Sequence, residues 1–296
     1  MAFQINPQLI RDALAKATNE LPPLPNVLVK VLQLTENSDA GTVSEIETLI
    51  RSDQAISSKL LRVVNSAYFG LSGQVSSVSQ AVVILGYQQV RNLVLSVSML
   101  SGFSTVGAKG KAAQQNMWEV AFGTASAAQI IARKKRLDTK EQEMSFMGGL
   151  LQNIGGLFML STISRTYISV LEETENSGAL LADIEKLRID CTHAEVGGTL
   201  MEKWKLPQEL LNVVVYHEDP SAAPESYGPI YVVHIADRLA TAAAKTDGEI
   251  DIKDLKIDPA ALAWLGWSDE ELTWAVGEVR EKIGLVVELI GGLGGV

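Results

Sequence analysis

The segment MGGLLQNIGG, residues 147–156, is the stretch of sequence that decides how the chain is interpreted. It lies in a long apolar region and has the pattern of the middle of a helix, yet it contains four glycines. Each glycine inside a helix costs about 1 kcal/mol relative to alanine. Two adjacent amides, Gln152 and Asn153, lie between apolar neighbours. Helix ends and close packing explain these glycines better than phosphate binding does.

The rest of the chain predicts an all-α fold. Nearly every segment repeats its apolar residues with the 3.6-residue period, and no convincing series of strands occurs. Helix starts are marked by Asn6-Pro7 and by capping boxes at 42–45, 77–80 and 192–195. After a helix at about 229–244, we expect two short helices to close the chain.

One region divides the predicted helices into two groups. Residues 101–116 lack periodicity and contain glycine, serine and lysine, which predicts a loop. We therefore expect a helical N-terminal lobe, residues 1–105, packed on a second helical lobe, residues 106–296.

Composition and charge argue against several classes of function. The 296 residues carry a net charge of −10, so the chain gains no counterion-release energy from a nucleic-acid backbone. The basic run at 133–136 is explained by a solvated helix C-terminus. Cys191 is the single cysteine, which indicates a reducing compartment. The sequence has no signal-peptide pattern and no apolar run of membrane-spanning length, so we expect a cytoplasmic protein without nucleic-acid or membrane partners.

Three histidines and one aspartate stand out in the second half of the chain. They are His193, His217, His234 and Asp237, all in predicted helices. Imidazole and carboxylate groups on separate helices could converge on a transition metal. The alternative is that each histidine is satisfied by an ordinary hydrogen bond. Asp237 needs a cation, hydrogen bonds or a metal if it is buried.

Several segments together resemble one family. They are LPPLPNVLVKVLQLTEN (21–37), IRSDQAISSKLLRVVNSAYFG (50–70), VSSVSQAVVILGYQQVRNLVL (75–95), MGGLLQNIGG and HAEVGGTLMEKWKLP (193–207). In this order they resemble the HDOD family, the HD-related output domains of bacterial signalling, over roughly residues 20–220. Gln54 departs from the pattern, because the family often has proline there. Asn65-Ser66 lies in the matching segment, and local backbone bonding is its expected role.

The resemblance gives the two amides a meaning. In HD phosphohydrolases, the corresponding helix carries the adjacent His and Asp that bind the catalytic metal, and here these positions hold Gln152 and Asn153. An earlier ligand position matches Val120, and the last matches Asp237. Three of the four ligand positions therefore lack a ligand, and the resemblance implies no metal, no cofactor and no catalytic residue. His193 and His217 resemble the additional histidines of the HD-GYP phosphodiesterases and, with His234, are candidates for ligand binding.

Three hypotheses about function follow. The first is a non-catalytic regulatory module that binds an unidentified signalling protein. The second is a degenerate phosphohydrolase, phosphodiesterase or nucleotide-binding domain, with a metal held by His193, His217, His234 and Asp237. The third is a helical scaffold. Under the first hypothesis, we expect Gln152 and Asn153 to be buried and hydrogen-bonded, with Asp237 and His193 as candidate partners.

Overall fold

The computed structural model describes residues 7–20, 43–51, 53–65, 71, 73–87, 90–91, 93–94, 107–225, 227–245 and 250–293. All regular structure in these ranges is helical, and they contain no strand. The all-α prediction is therefore confirmed. None of the described helices offers an apolar run of the length that a bilayer demands. Residues 21–37, where the family motifs begin, and most of 88–106 lie outside the described residues.

The chain divides into two compact units. One comprises Met1–Leu21 and Phe103–Ile283, and the other comprises Pro22–Gly102 and Gly284–Val296. The first helix, α1 (Pro7–Asn19), thus belongs to the larger unit, whereas the predicted N-terminal lobe of residues 1–105 includes it. Its Arg11 side chain forms an ion pair with Asp190 of that unit.

In the part of the smaller unit that the structure describes, three short helices pack on one another: α2 (Val43–Arg51), α3 (Gln54–Val64) and α4 (Val78–Leu85). Asn65 directly follows α3, and its side chain bonds the backbone of the segment that precedes α4. Its Nδ2 donates to the Val75 carbonyl over 2.8 Å, and its Oδ1 accepts from the Val75 N–H over 2.7 Å. The backbone role expected for Asn65 is confirmed, while Ser66 lies outside the described residues.

The larger unit holds the other described helices, the last of them only as far as Ile283. They are α5 (Gly107–Lys134), α6 (Thr139–Leu151), α7 (Ile154–Thr162), α8 (Ser164–Ser177), α9 (Leu181–Ile189), α10 (His193–Lys203), α11 (Gln208–Tyr216), α12 (Gly228–Lys245), α13 (Pro259–Leu265) and α14 (Asp269–Leu293). Short 3₁₀ turns occur at Pro220–Ala222 and Ile252–Leu255. Helix α5 packs against α6 and α12, and small residues of α5 and α12, such as Ala128 and Ala240, are fully buried in one apolar cluster.

Two predicted features of this unit are wrong. The loop expected over 101–116 is helical from Gly107 onward, because Ala, Lys and Gln are good helix formers and outweigh the two glycines there. Residues 101–106 lie outside the described part. The last helix, α14, has 25 residues and is not short.

The predicted helix starts are reproduced to different degrees. Helix α1 begins at Pro7, and the capping box at 192–195 is complete in both directions. At α4, Ser77 Oγ accepts from the Gln80 N–H over 3.1 Å, but Gln80 Oε1 accepts from Ser76, so the reciprocal bond is absent there. At 42–45, the capping residue lies outside the described residues.

The segment at 147–156 does not form the middle of one helix. Helix α6 ends at Leu151 and α7 begins at Ile154, so Gln152 and Asn153 form the junction between them. The surrounding glycines bring backbones into contact. A Cβ added at Gly155 would lie 2.0 Å from the His193 carbonyl oxygen and 2.5 Å from the Gly197 nitrogen. Helix α7 therefore packs on α10 at a distance that excludes any side chain at Gly155.

Candidate functional site

Gln152 connects the helix junction to α12. Its side chain is fully buried, and its Nε2 donates to Asp237 Oδ1 over 2.9 Å. The expected bond to Asp237 is therefore present, while His193 is not a partner of Gln152. The Gln152 Oε1 atom is buried and has no hydrogen-bond partner within the described residues. Burial raises the pKa of Asp237 to about 6.

The other two positions that the family resemblance assigns to HD ligands offer no strong metal ligand. Val120 lies in the apolar core with Ala236 and Leu239. Asn153 is buried as predicted, but the predicted hydrogen bond of its side chain is wrong, because none forms within the described part of the chain. A metal centre at these positions would have one carboxylate, Asp237, already bonded to an amide, and two neutral amides. Transition metals prefer imidazole, thiolate or carboxylate ligands, so these residues do not fit the metal of an HD phosphohydrolase.

His193 and His217 face each other in the interior. His193 is the first residue of α10, and His217 directly follows α11. Both side chains are about 1% exposed, and their Nε2 atoms are 3.2 Å apart. The two Nδ1 atoms point outward from the pair: that of His193 lies 2.7 Å from Glu185 Oε2, and that of His217 lies 2.7 Å from the Val214 carbonyl oxygen.

Glu185 is the buried carboxylate that orients His193. It lies on α9 with no exposed surface and accepts from the Tyr167 hydroxyl over 2.6 Å. It also accepts from the His193 backbone N–H over 2.9 Å. Glu185 was not among the residues predicted from the sequence. The available signal was its position on the apolar side of α9, four residues before the fully buried Ile189.

Glu218 completes the group and was also missed. Its Oε1 lies 3.5 Å from His193 Nε2 and 3.9 Å from His217 Nε2. Its other oxygen accepts from Arg238, whose Nη1 lies 3.8 Å from Asp237 Oδ2. The guanidinium of Arg238 therefore links the carboxylates of Glu218 and Asp237.

His234 does not join this group through its ring. Its Nδ1 lies 2.7 Å from the His217 carbonyl oxygen, and its Nε2 accepts from the Asp258 N–H over 2.9 Å. Both ring nitrogens are thus engaged with backbone atoms. His234 holds the backbone of His217 in place, which is the ordinary hydrogen-bonding role that the sequence left open for it.

The charges of the group follow from burial and from these neighbours. Burial opposes a charge on His193, but Glu185, with Glu218 and Asp237, outweighs it and raises the pKa of His193 to about 9. Burial lowers the pKa of His217 to about 3. Burial alone would raise the pKa of Glu218, but Arg238 and the two histidines hold it at about 2. At neutral pH and without another cation, His193 is therefore protonated and His217 is neutral, so the proton between the two Nε2 atoms belongs to His193.

The sequence of the chain matches a known family. Residues 21–220 match the family model of the HDOD domain, and the chain belongs to the HDOD family. The family inferred from the sequence motifs is therefore confirmed.

Solved structures share the fold over nearly the whole chain. An HDOD domain protein of unknown function from Geobacter sulfurreducens has a TM-score of 0.76 at 20% identity, covering 98% of both chains. A protein from Marinobacter aquaeolei, provisionally named a signal transduction protein, has a TM-score of 0.75 at 20% identity, covering 98% of this chain and 68% of its own. A protein from Shewanella amazonensis, provisionally named a phosphohydrolase, has a TM-score of 0.67 at 24% identity, covering 95% and 98%.

A curated relative is considerably longer than this chain. An uncharacterised protein of Treponema pallidum is 29% identical over 221 residues, which are 74% of this chain and 41% of that protein. The chain thus spans about two fifths of the length of that relative.

Proposed function

We propose that the chain is a non-catalytic regulatory module of bacterial signal transduction, which acts in the cytoplasm by binding another protein. The observation that carries this proposal is the bond between Gln152 and Asp237. At the place where an HD phosphohydrolase holds its metal, an amide is hydrogen-bonded to the one remaining carboxylate. The single cysteine agrees with a reducing compartment.

The loss of the metal positions removes the hydrolytic chemistry. A metal-dependent hydrolase needs a cation held by about three protein ligands, with one position open for a water whose pKa the cation lowers. Val120, Gln152 and Asn153 supply none of these ligands. What remains is a helical module without the ligands of that metal centre, and we expect such a module to transmit a signal by contact with other proteins. The signalling name of the Marinobacter protein supports the same class of function.

A second candidate function is favoured by one observation. The convergence of His193, His217 and Glu218 places three metal-binding side chains together, as a degenerate phosphodiesterase would. The phosphohydrolase name of the Shewanella protein supports this alternative. The two candidates differ in whether a metal-loaded protein turns over phosphate esters.

Partner binding is tested in two stages with the full chain. The chain is used to capture proteins from a lysate of its source bacterium, and each captured protein is then purified and titrated against it by calorimetry. We expect at least one protein to form a saturable complex of fixed stoichiometry that needs no added nucleotide. If no captured protein binds the pure chain, or binding requires a nucleotide, the protein-binding proposal is wrong.

A further inference from the structure

Three atoms that can serve as metal ligands converge on one point in the larger unit. The distances between His193 Nε2, His217 Nε2 and Glu218 Oε1 are 3.2, 3.5 and 3.9 Å. The centre of the circle through the corners of such a triangle lies about 2.1 Å from each atom, and protein ligands hold zinc at about 2.0–2.2 Å. A single ion at this centre would lie at a zinc–ligand distance from all three atoms.

The bonds at the far side of each ring aim the donors at this point. With Glu185 and the Val214 carbonyl accepting at the two Nδ1 atoms, each neutral ring presents an unprotonated Nε2 to the other. Two such lone pairs at 3.2 Å repel unless a cation lies between them. Metal-binding histidines in general donate their other ring N–H to a carboxylate or a backbone carbonyl, and both kinds of acceptor are present here.

We propose that His193, His217 and Glu218 bind one divalent transition-metal ion, in a site separate from the positions of Val120, Gln152 and Asn153. Glu185 and Val214 are positioning residues that orient the two rings. Imidazole with carboxylate suits zinc, iron, nickel or manganese, and zinc is the probe for the test. The proposal goes beyond the proposed function and does not depend on it.

This ligand set differs from the one considered from the sequence. His234 has both ring nitrogens engaged with backbone atoms, and Asp237 is bonded to Gln152, so neither belongs to the set. Glu218 takes their place. Arg238 occupies its second oxygen, so Glu218 would bind the ion through one oxygen only.

The position of the site suggests a connecting role. The ion would join the first residue of α10 to the segment that follows α11. The two histidines are about 1% exposed, so the ion would be shielded from large substrates. It would therefore hold two helices together, in place of the proton that otherwise lies between the rings.

The test uses the full chain, stripped of metal with a chelator that is then removed. Calorimetric titration with zinc is expected to give one bound ion per chain. Cobalt is expected to give the intense visible absorption of a four-coordinate ion, displaced by one equivalent of zinc. Absence of stoichiometric zinc binding to the folded chain would overturn the proposal, because the proton alone would then account for the pair.

Variants separate this site from other donors. Glu218→Gln retains the size of the side chain and is expected to weaken zinc binding more than about 100-fold, since even outer-shell losses cost about 10–100-fold. Glu185→Gln removes the charge of the residue that orients His193, without removing a ligand, and should weaken binding by about 10–100-fold. Asp219→Asn, at the neighbouring exposed acid, and Cys191→Ser should bind zinc as the unaltered chain does. Circular dichroism verifies folding, and unchanged zinc affinity in folded Glu218→Gln contradicts the assignment.

Discussion

Replacing Glu185 by alanine is expected to lower the free energy of unfolding by about 3–5 kcal/mol, which is the usual cost of breaking a buried charge pair. The carboxylate has no exposed surface and accepts from the Tyr167 hydroxyl and from both the backbone and the ring of His193. Alanine leaves all of these buried donors unpaired, each at about 1–3 kcal/mol. Urea denaturation followed by circular dichroism measures the difference.

Two further variants show whether the carboxylate itself is responsible. Glu185→Gln retains an acceptor oxygen and the volume of the side chain, so its loss of stability should be smaller than that of Glu185→Ala. Glu281→Ala removes an exposed glutamate from α14 and should change stability by no more than about 0.5 kcal/mol. If Glu185→Ala unfolds at the same urea concentration as Glu281→Ala, the buried network around His193 does not stabilise the fold.

Replacing Gly155 by alanine is expected to cost about 3 kcal/mol, the upper end of the range for overpacked cores. The new Cβ would lie 2.0 Å from the His193 carbonyl oxygen and 2.5 Å from the Gly197 nitrogen. Both are backbone atoms of α10, so no rotation of a side chain can relieve the clash. Helices α7 and α10 must move apart, and the movement displaces His193. Thermal and urea unfolding measure the loss.

Gly277 provides the matched control for this substitution. It lies on the exposed side of α14, and a Cβ there meets no atom within 4 Å. Gly277→Ala should therefore stabilise the protein by about 0.5–1 kcal/mol, because alanine loses less backbone entropy in a helix. Equal effects of the two substitutions would show that close backbone approach does not explain Gly155.

Local sequence signals predicted the fold class and several helix ends. The apolar period gave the all-α class, and the capping box at 192–195 correctly placed the start of α10 at His193. The bond between Gln152 and Asp237 was also predicted, although the residues are 85 positions apart. That prediction depended on the family resemblance, because no local pattern relates the two residues.

Features that depend on tertiary packing were not predicted. The sequence around Gln152 and Asn153 has the pattern of a continuous helix. The helix nevertheless ends at Leu151, and the chain turns before the next helix begins at Ile154. Glu218 had the appearance of a polar helix end, and Glu185 that of one charge among several on α9. Their roles arise only when α9, α10 and α11 are brought together. His234 lies three residues before Asp237, yet its ring is satisfied by the backbone of distant residues.

The most direct test of the central claim is a turnover assay on the full chain with one equivalent of zinc or manganese. Cyclic dinucleotides and (p)ppGpp serve as substrates, with EDTA-treated protein and His193→Ala as controls. The account predicts no product above background in any sample, because Val120, Gln152 and Asn153 supply no ligands for a metal that activates water. The same holds for the double substitution Gln152→His with Asn153→Asp, which still lacks the ligand at Val120. Turnover that is abolished both by EDTA and by His193→Ala would contradict the account.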